Sequence, residues 1–78
     1  MAKHELKISE NNARAHLSGV KPWELRNNDR DFKIGDKINF NAIDEQGFVI
    51  MRYTREIKFV QKGGQCGLDE EFVIITIE

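Results

Sequence analysis

The feature that most narrows what this chain can fold into is its period-two patterning. Ile38, Phe40 and Ala42 alternate with Lys37, Asn39 and Asn41, which marks a strand with one buried face and one wet face. The run closes at Asp44-Glu45-Gln46-Gly47, a turn sequence. Leu6-Lys7-Ile8 predicts a short first strand. Phe48 to Tyr53 and Arg55 to Gln61 predict two more, the second with Ile57 and Phe59 set against Glu56 and Lys58. Phe72 to Ile77 is apolar on both faces, as in a central or covered strand. Five to six strands in so short a chain predict a mainly β fold: a small closed or nearly closed β-barrel, which hides the edges of its sheet.

One stretch departs from this period. Ser9 offers an N-cap with Glu10 in the first turn, and Ala13, Leu17 and Val20 recur at helical spacing. Gly19, with Pro22 close behind, is a stop signal, so one short helix is expected from about Ser9 to Ser18, covering one end of the barrel. Pro22 then pushes Lys21 out of the helical region, and Trp23 to Arg26 should be extended. In a strand Glu24 and Arg26 share one face, while Trp23 and Leu25 share the other, which suits a core. Asn27-Asn28-Asp29-Arg30-Asp31 is a dense turn cluster, anchored at its far end by Phe32 and Ile34.

A chain of 78 residues has room for a single domain, residues 1–78, here treated as a monomer. Its longest apolar run, Phe72-Val73-Ile74-Ile75, is far too short to span a bilayer, and no secretory segment is visible. The one cysteine, Cys66, has no internal disulfide partner, which suits a reducing, cytoplasmic setting. The net charge of −1 gives no bulk attraction for nucleic acid. The charge is nonetheless uneven: all 12 Lys and Arg fall within residues 1–62, and Asp69-Glu70-Glu71 makes the tail acidic. A local basic cleft is compatible with that distribution; a broad RNA-coating surface is not.

The chemical candidates are few. His4, His16 and Cys66 lack the paired spacing of a metal site, so no metal and no cofactor are expected. His16 reads as an exposed or boundary residue. Lys62-Gly63-Gly64-Gln65-Cys66-Gly67 lacks the order of a phosphate-cradling loop and reads as a flexible connector. Phe40, Phe48, Phe59 and Phe72 lie on apolar alternations and are expected in the core, which leaves Tyr53 as the aromatic residue best placed to stack on a base. Lys21, Glu24 and Arg26 remain, either as an ion pair on a solvated face or as a face that meets a polar ligand.

The spacing Gly-x-Lys-x-x-Glu-x-Arg, filled by Gly19, Lys21, Glu24 and Arg26, resembles the signature of the ASCH domain, a small β-barrel of the PUA-like superfamily associated with RNA binding. His4-Glu5-Leu6-Lys7-Ile8 before it, and the run from Glu24 through Asn27-Asn28-Asp29-Arg30-Asp31-Phe32 to Gly35-Asp36 after it, resemble the short ASCH-like DUF3850 family of bacterial and phage proteins. One departure is the lack of a Gly between Thr54 and Arg55, where the family pattern suggests a hairpin. The resemblance implies a module that binds RNA or a nucleotide-like ligand. Lys21, Arg26 and Arg30 would meet phosphates or base acceptors, Glu24 would orient Lys21 or Arg26 or accept from a base amine, and Asn27, Asn28 and Tyr53 would line the approach. It also implies an alternative. Some ASCH proteins are amidohydrolases on N4-acetylcytidine and others are linked to ribonuclease activity, with Lys21 and Glu24 as the matching reacting groups; Glu24 stands where those amidohydrolases carry threonine. A third reading is an accessory protein that works by protein contact through Asp69-Glu70-Glu71.

Overall fold

The structure is a computed structural model and describes residues 1–65 and 67–78. Cys66 lies outside the described residues. The elements run β1 (Lys3–Ser9), α1 (Glu10–Leu17), β2 (Trp23–Asn27), β3 (Lys37–Ile43), β4 (Val49–Lys62) and β5 (Phe72–Ile77). The fold is mainly β, with one five-stranded sheet in the order β1-β3-β4-β5-β2. β1 runs parallel to β3 and the other neighbours are antiparallel. β1 and β2 are therefore the two edges, and no ladder joins them among the described residues.

Two expected strands are one. Residues 49–62 form a single long strand that pairs with β3 through its first half and with β5 through its second, the register shifting between Ile57 and Phe59. Such an irregularity bends a strand without ending it, so one strand serves both halves of the curved sheet. Tyr53-Thr54-Arg55-Glu56 lies in mid-strand, not in a hairpin, and the hairpin turn falls at Asp44–Phe48, where Gly47 takes a φ of 88°.

The inward positions of β1, β3, β4 and β5 supply the core: Leu6, Ile8, Ile38, Phe40, Ala42, Ile57, Val73, Ile75 and Ile77, with Ala13 and Phe32 packed against them. Phe48 and Phe59, expected inside, are exposed, and Phe72 is only half-buried. The helix also departs from expectation. Ser9 caps it, its hydroxyl accepting from the Asn12 N–H, but the buried face is Ala13 and His16, while Leu17 and Val20 point to solvent. His16 is 5% exposed, so it is an interior residue and not a boundary one. After β4, the Gly64 N–H donates to the Leu68 carbonyl at 2.7 Å, and a Cβ on Gly63 would meet the Asp69 carbonyl oxygen at 1.8 Å. Only glycine permits that backbone approach.

No helix is long and apolar enough to cross a membrane among the described residues.

Candidate functional site

Strand β2 turns its polar face inward, opposite to the expected orientation. Glu24 is 5% exposed, whereas Trp23 and Leu25 are 42% and 47% exposed. Alternation tells which residues share a face, but not which face the fold covers. What makes an inward carboxylate tolerable is its company, since a buried charge is costly unless paired. Arg26 Nε donates to Glu24 Oε2 at 2.9 Å, and Lys21 Nζ and His16 Nε2 each lie 3.4 Å from Oε1. The solvated ion pair weighed from spacing is therefore a buried cluster.

Three local features bring the cluster together. Gly19, at a φ of 79°, ends the helix, and the Lys21 N–H returns to the Ala15 carbonyl at 3.1 Å, fixing Lys21 beside the helix end. Lys21 Nζ also donates to Asn12 Oδ1 at 3.0 Å and stands 4.7 Å from the centre of the Trp23 ring. β2 then places Glu24 and Arg26 two residues apart on the inner face. Finally α1 packs His16 against both Phe40 and Tyr53, at ring-centre distances of 5.1 and 5.9 Å.

The protonation of His16 follows from its partners. Nε2 faces the Trp23 carbonyl at 3.1 Å, an oxygen that can only accept, so Nε2 carries a proton. Burial holds the His16 pKa below the ordinary histidine value, keeping the ring neutral, and Nδ1 then accepts from the Tyr53 hydroxyl at 2.7 Å. Burial, and after it the negative charge of Glu24, pushes the Tyr53 phenol up to about 12. Tyr53 stacks on Phe40, 25° from parallel, and Arg55 lies over its ring with Cζ 5.1 Å from the centre. Arg55 donates to the Thr54 carbonyl and forms no ion pair among the described residues.

The expected residues divide among neighbouring places. Lys21, Glu24, Arg26 and Tyr53 meet in the cluster just described. Arg26, Asn27 and Arg30 line an adjoining cavity of about 140 Å³ with Leu6, Asp29 and Phe32. Asn28 is turned elsewhere: its N–H donates to the Glu71 carbonyl, and its side of the molecule holds Glu70 and Glu71. His16 and Arg55 were not anticipated. The spacing of His16 three residues after Ala13 was a usable signal for a shared helix face. Arg55 follows Met51 and Tyr53 at period two, legible once β4 is known to be unbroken.

Residues 3–77 match the model of the family described as "Domain of unknown function (DUF3850)". The chain belongs to the DUF3850 family. No curated protein matches it. The matched span of this DUF3850 chain contains every residue of the cluster, from His16 on the helix to Arg55 on β4.

Proposed function

We propose that this DUF3850 chain is a PUA-like module of ASCH type that binds RNA or a nucleotide-like ligand at the seam between β1 and β2. The observation that carries the reading is the buried Glu24 carboxylate, which fixes Lys21 and Arg26 while Arg55 stands by the same cluster through Tyr53. One carboxylate among three cations leaves positive charge at a partly desolvated place, where an anion is favoured more strongly than on an open surface. Both Glu24 oxygens are occupied, so it orients cations rather than touching the ligand. The adjoining cavity of about 140 Å³, with Arg26, Asn27 and Arg30 on its walls, suits a phosphate group and is too small for a nucleoside. We read the sheet as a barrel left open at this seam, where the Arg26 guanidinium reaches the Lys7 carbonyl.

The test is a titration with short single-stranded and hairpin RNAs at about 50 and about 200 mM salt. Binding is expected to weaken with salt, and Lys21→Ala and Arg30→Ala to lower affinity about tenfold each; Arg30→Ala should keep the wild-type unfolding midpoint, while Lys21→Ala, which takes one partner from the buried Glu24, is compared at a temperature where circular dichroism shows it folded. Equal affinity in wild type and both variants would remove the seam from consideration.

A hydrolase reading has one observation in its favour. Lys21 Nζ lies 3.4 Å from Glu24 Oε1 with side-chain exposures of 19% and 7%, the closeness and desolvation that proton transfer between them would need. Glu24 replaces the threonine of the ASCH amidohydrolases, so no release of acetate from N4-acetylcytidine is expected. Cytidine formation that disappears in Lys21→Ala would promote this reading.

A further inference from the structure

We propose that the outer face of β1-β3-β4 is a second contact surface for the same nucleic-acid strand, carrying it from the seam over the β1 edge. The proposal rests on the nucleic-acid reading above and extends it to side chains on the opposite face of the sheet, with Lys7 and Tyr53 shared between the two places. An open trough of about 580 Å³ crosses this face, lined by Glu5, Lys7, Asn39, Asn41, Arg52 and Thr54 among others.

Its floor is built and not merely polar. Asn39 and Asn41 both donate through Nδ2 to the Glu5 carboxylate, one to each oxygen. On the other side the Thr54 hydroxyl donates to Asn39 Oδ1 at 2.7 Å, and Arg52 Nε to Asn41 Oδ1 at 3.0 Å. Two amide planes are thus clamped from both flanks, and each keeps one N–H and one lone pair for a ligand. A fixed donor beside a fixed acceptor is what reads the edge of a nucleobase, and holding it in place beforehand lowers the cost of binding.

The charge around the floor fits the phosphates of such a strand. Lys3, Lys7, Lys37, Arg52 and Lys58 share this face with the carboxylates Glu5 and Glu56, and Glu78 acts on Lys58 at its far end, in a chain whose net charge is −1. Glu56 is engaged by Lys37 and Lys58, whereas Lys7 forms no ion pair among the described residues and Arg52 commits only its Nε. At the head of the trough Val49 lines the wall, and Phe48, the residue before it, is 69% exposed on the hairpin. An exposed phenyl at the end of a basic groove is a stacking platform for an unpaired base.

Continuity with the seam decides for a strand over a single nucleotide. Leu6 lines the seam cavity and its neighbour Lys7 lines the trough; adjacent strand residues point to opposite faces, so the two places lie on either side of the edge strand β1. Lys7 takes part in both: its carbonyl accepts from Arg26 and its side chain lines the trough.

The experiment uses the full chain, a fluorescently labelled single-stranded RNA of about six nucleotides and, separately, adenosine monophosphate. The double variant Lys7→Gln with Arg52→Gln, and Phe48→Ala alone, change exposed side chains and are expected to keep the wild-type unfolding midpoint. Each should lower affinity for the oligonucleotide about tenfold, the double variant should flatten its salt dependence, and neither should alter binding of the mononucleotide. Oligonucleotide binding that ignores these variants but weakens in Lys21→Ala and Arg30→Ala overturns the trough and leaves the seam standing. Binding that weakens in the trough variants but ignores Lys21→Ala and Arg30→Ala supports the trough and overturns the seam reading. No binding of RNA to the wild type overturns both.

Discussion

Arg26 Nη2 donates to the carbonyl of Lys7 at 2.6 Å, so a side chain of one edge strand holds the backbone of the other. The same guanidinium satisfies the buried Glu24 through Nε, a division of labour that the planar fork of arginine permits and a lysine ammonium on a flexible stem does not. Arg26→Lys should keep one of the two contacts and Arg26→Ala neither. Loss of a charged hydrogen bond and of a partner for a buried carboxylate predicts destabilisation of about 2–4 kcal/mol for Arg26→Ala, with Arg26→Lys between it and wild type. Urea unfolding measures both; a change within experimental error for Arg26→Ala would mean the seam is held by other contacts. Arg30, which forms no ion pair among the described residues, is therefore the cleaner variant for probing ligand binding, and Lys21→Ala, which also takes a partner from Glu24, is read beside its own unfolding curve.

The Tyr53 hydroxyl gives His16 Nδ1 its hydrogen bond inside the cluster. Tyr53→Phe keeps the ring on Phe40 and under Arg55 but leaves a buried nitrogen with no donor. The expected cost is about 1–3 kcal/mol, well above that of removing an exposed hydroxyl. Thr54→Val offers the control, since the Thr54 hydroxyl donates to Asn39 on the exposed face. Similar small losses in both variants would put the His16 ring in contact with water.

Two groups give stability separate dependences on pH. Burial lowers the folded-state pKa of His16 from 6.5, so the unfolded chain takes up that proton first. Its contribution is complete above about pH 6.5 and is lost as the pH falls from there through the lower folded value. Asp36 behaves in the same sense at more acid pH. A hydrogen bond from His4 at 2.8 Å, then the N–H groups of Ala2 and Lys33, hold its carboxyl below 3.8, so that contribution disappears as the pH drops through its folded value. Denaturation midpoints across a pH series should show two declining limbs, and His16→Gln should remove the first while keeping the second. A single limb in the wild type would contradict the burial of His16.

Local pattern in the sequence was enough to find the strands, the capped helix and its Gly19 stop, because each is written in neighbouring residues. The spacing of Lys21, Glu24 and Arg26 was also enough to bring them together. It could not say that Glu24 points inward. That depends on His16 arriving from α1 and on Arg26 reaching Lys7, contacts made only when distant segments meet. Nor could the patterning around Thr54 reveal an unbroken β4, since the bend that lets one strand serve two neighbours comes from a register shift at Ile57, where the sequence carries no Gly or Pro to mark it. The exposure of Phe48 and Phe59 has the same origin: apolar alternation implies a shared face, but these positions lie on faces that no other described residue covers.

Tyr53 is the chain's one tyrosine, so the ultraviolet signal of tyrosinate reads this cluster without labelling. The folded protein should titrate at about 12, against 10.0 for an ordinary phenol, because ionisation would place a second negative charge beside Glu24 in a site partly withdrawn from water. In concentrated urea the midpoint should return toward 10.0. Glu24→Gln separates the two causes: it removes the charge but keeps the burial, which is the larger of them, so the midpoint should move down only part of the way. Trp23 emission, followed in the same titration, reports whether the fold survives at each pH. A midpoint near 10.0 in a chain still folded by that measure would place the Tyr53 hydroxyl in solvent, and the His16–Tyr53–Glu24 arrangement would have to be abandoned.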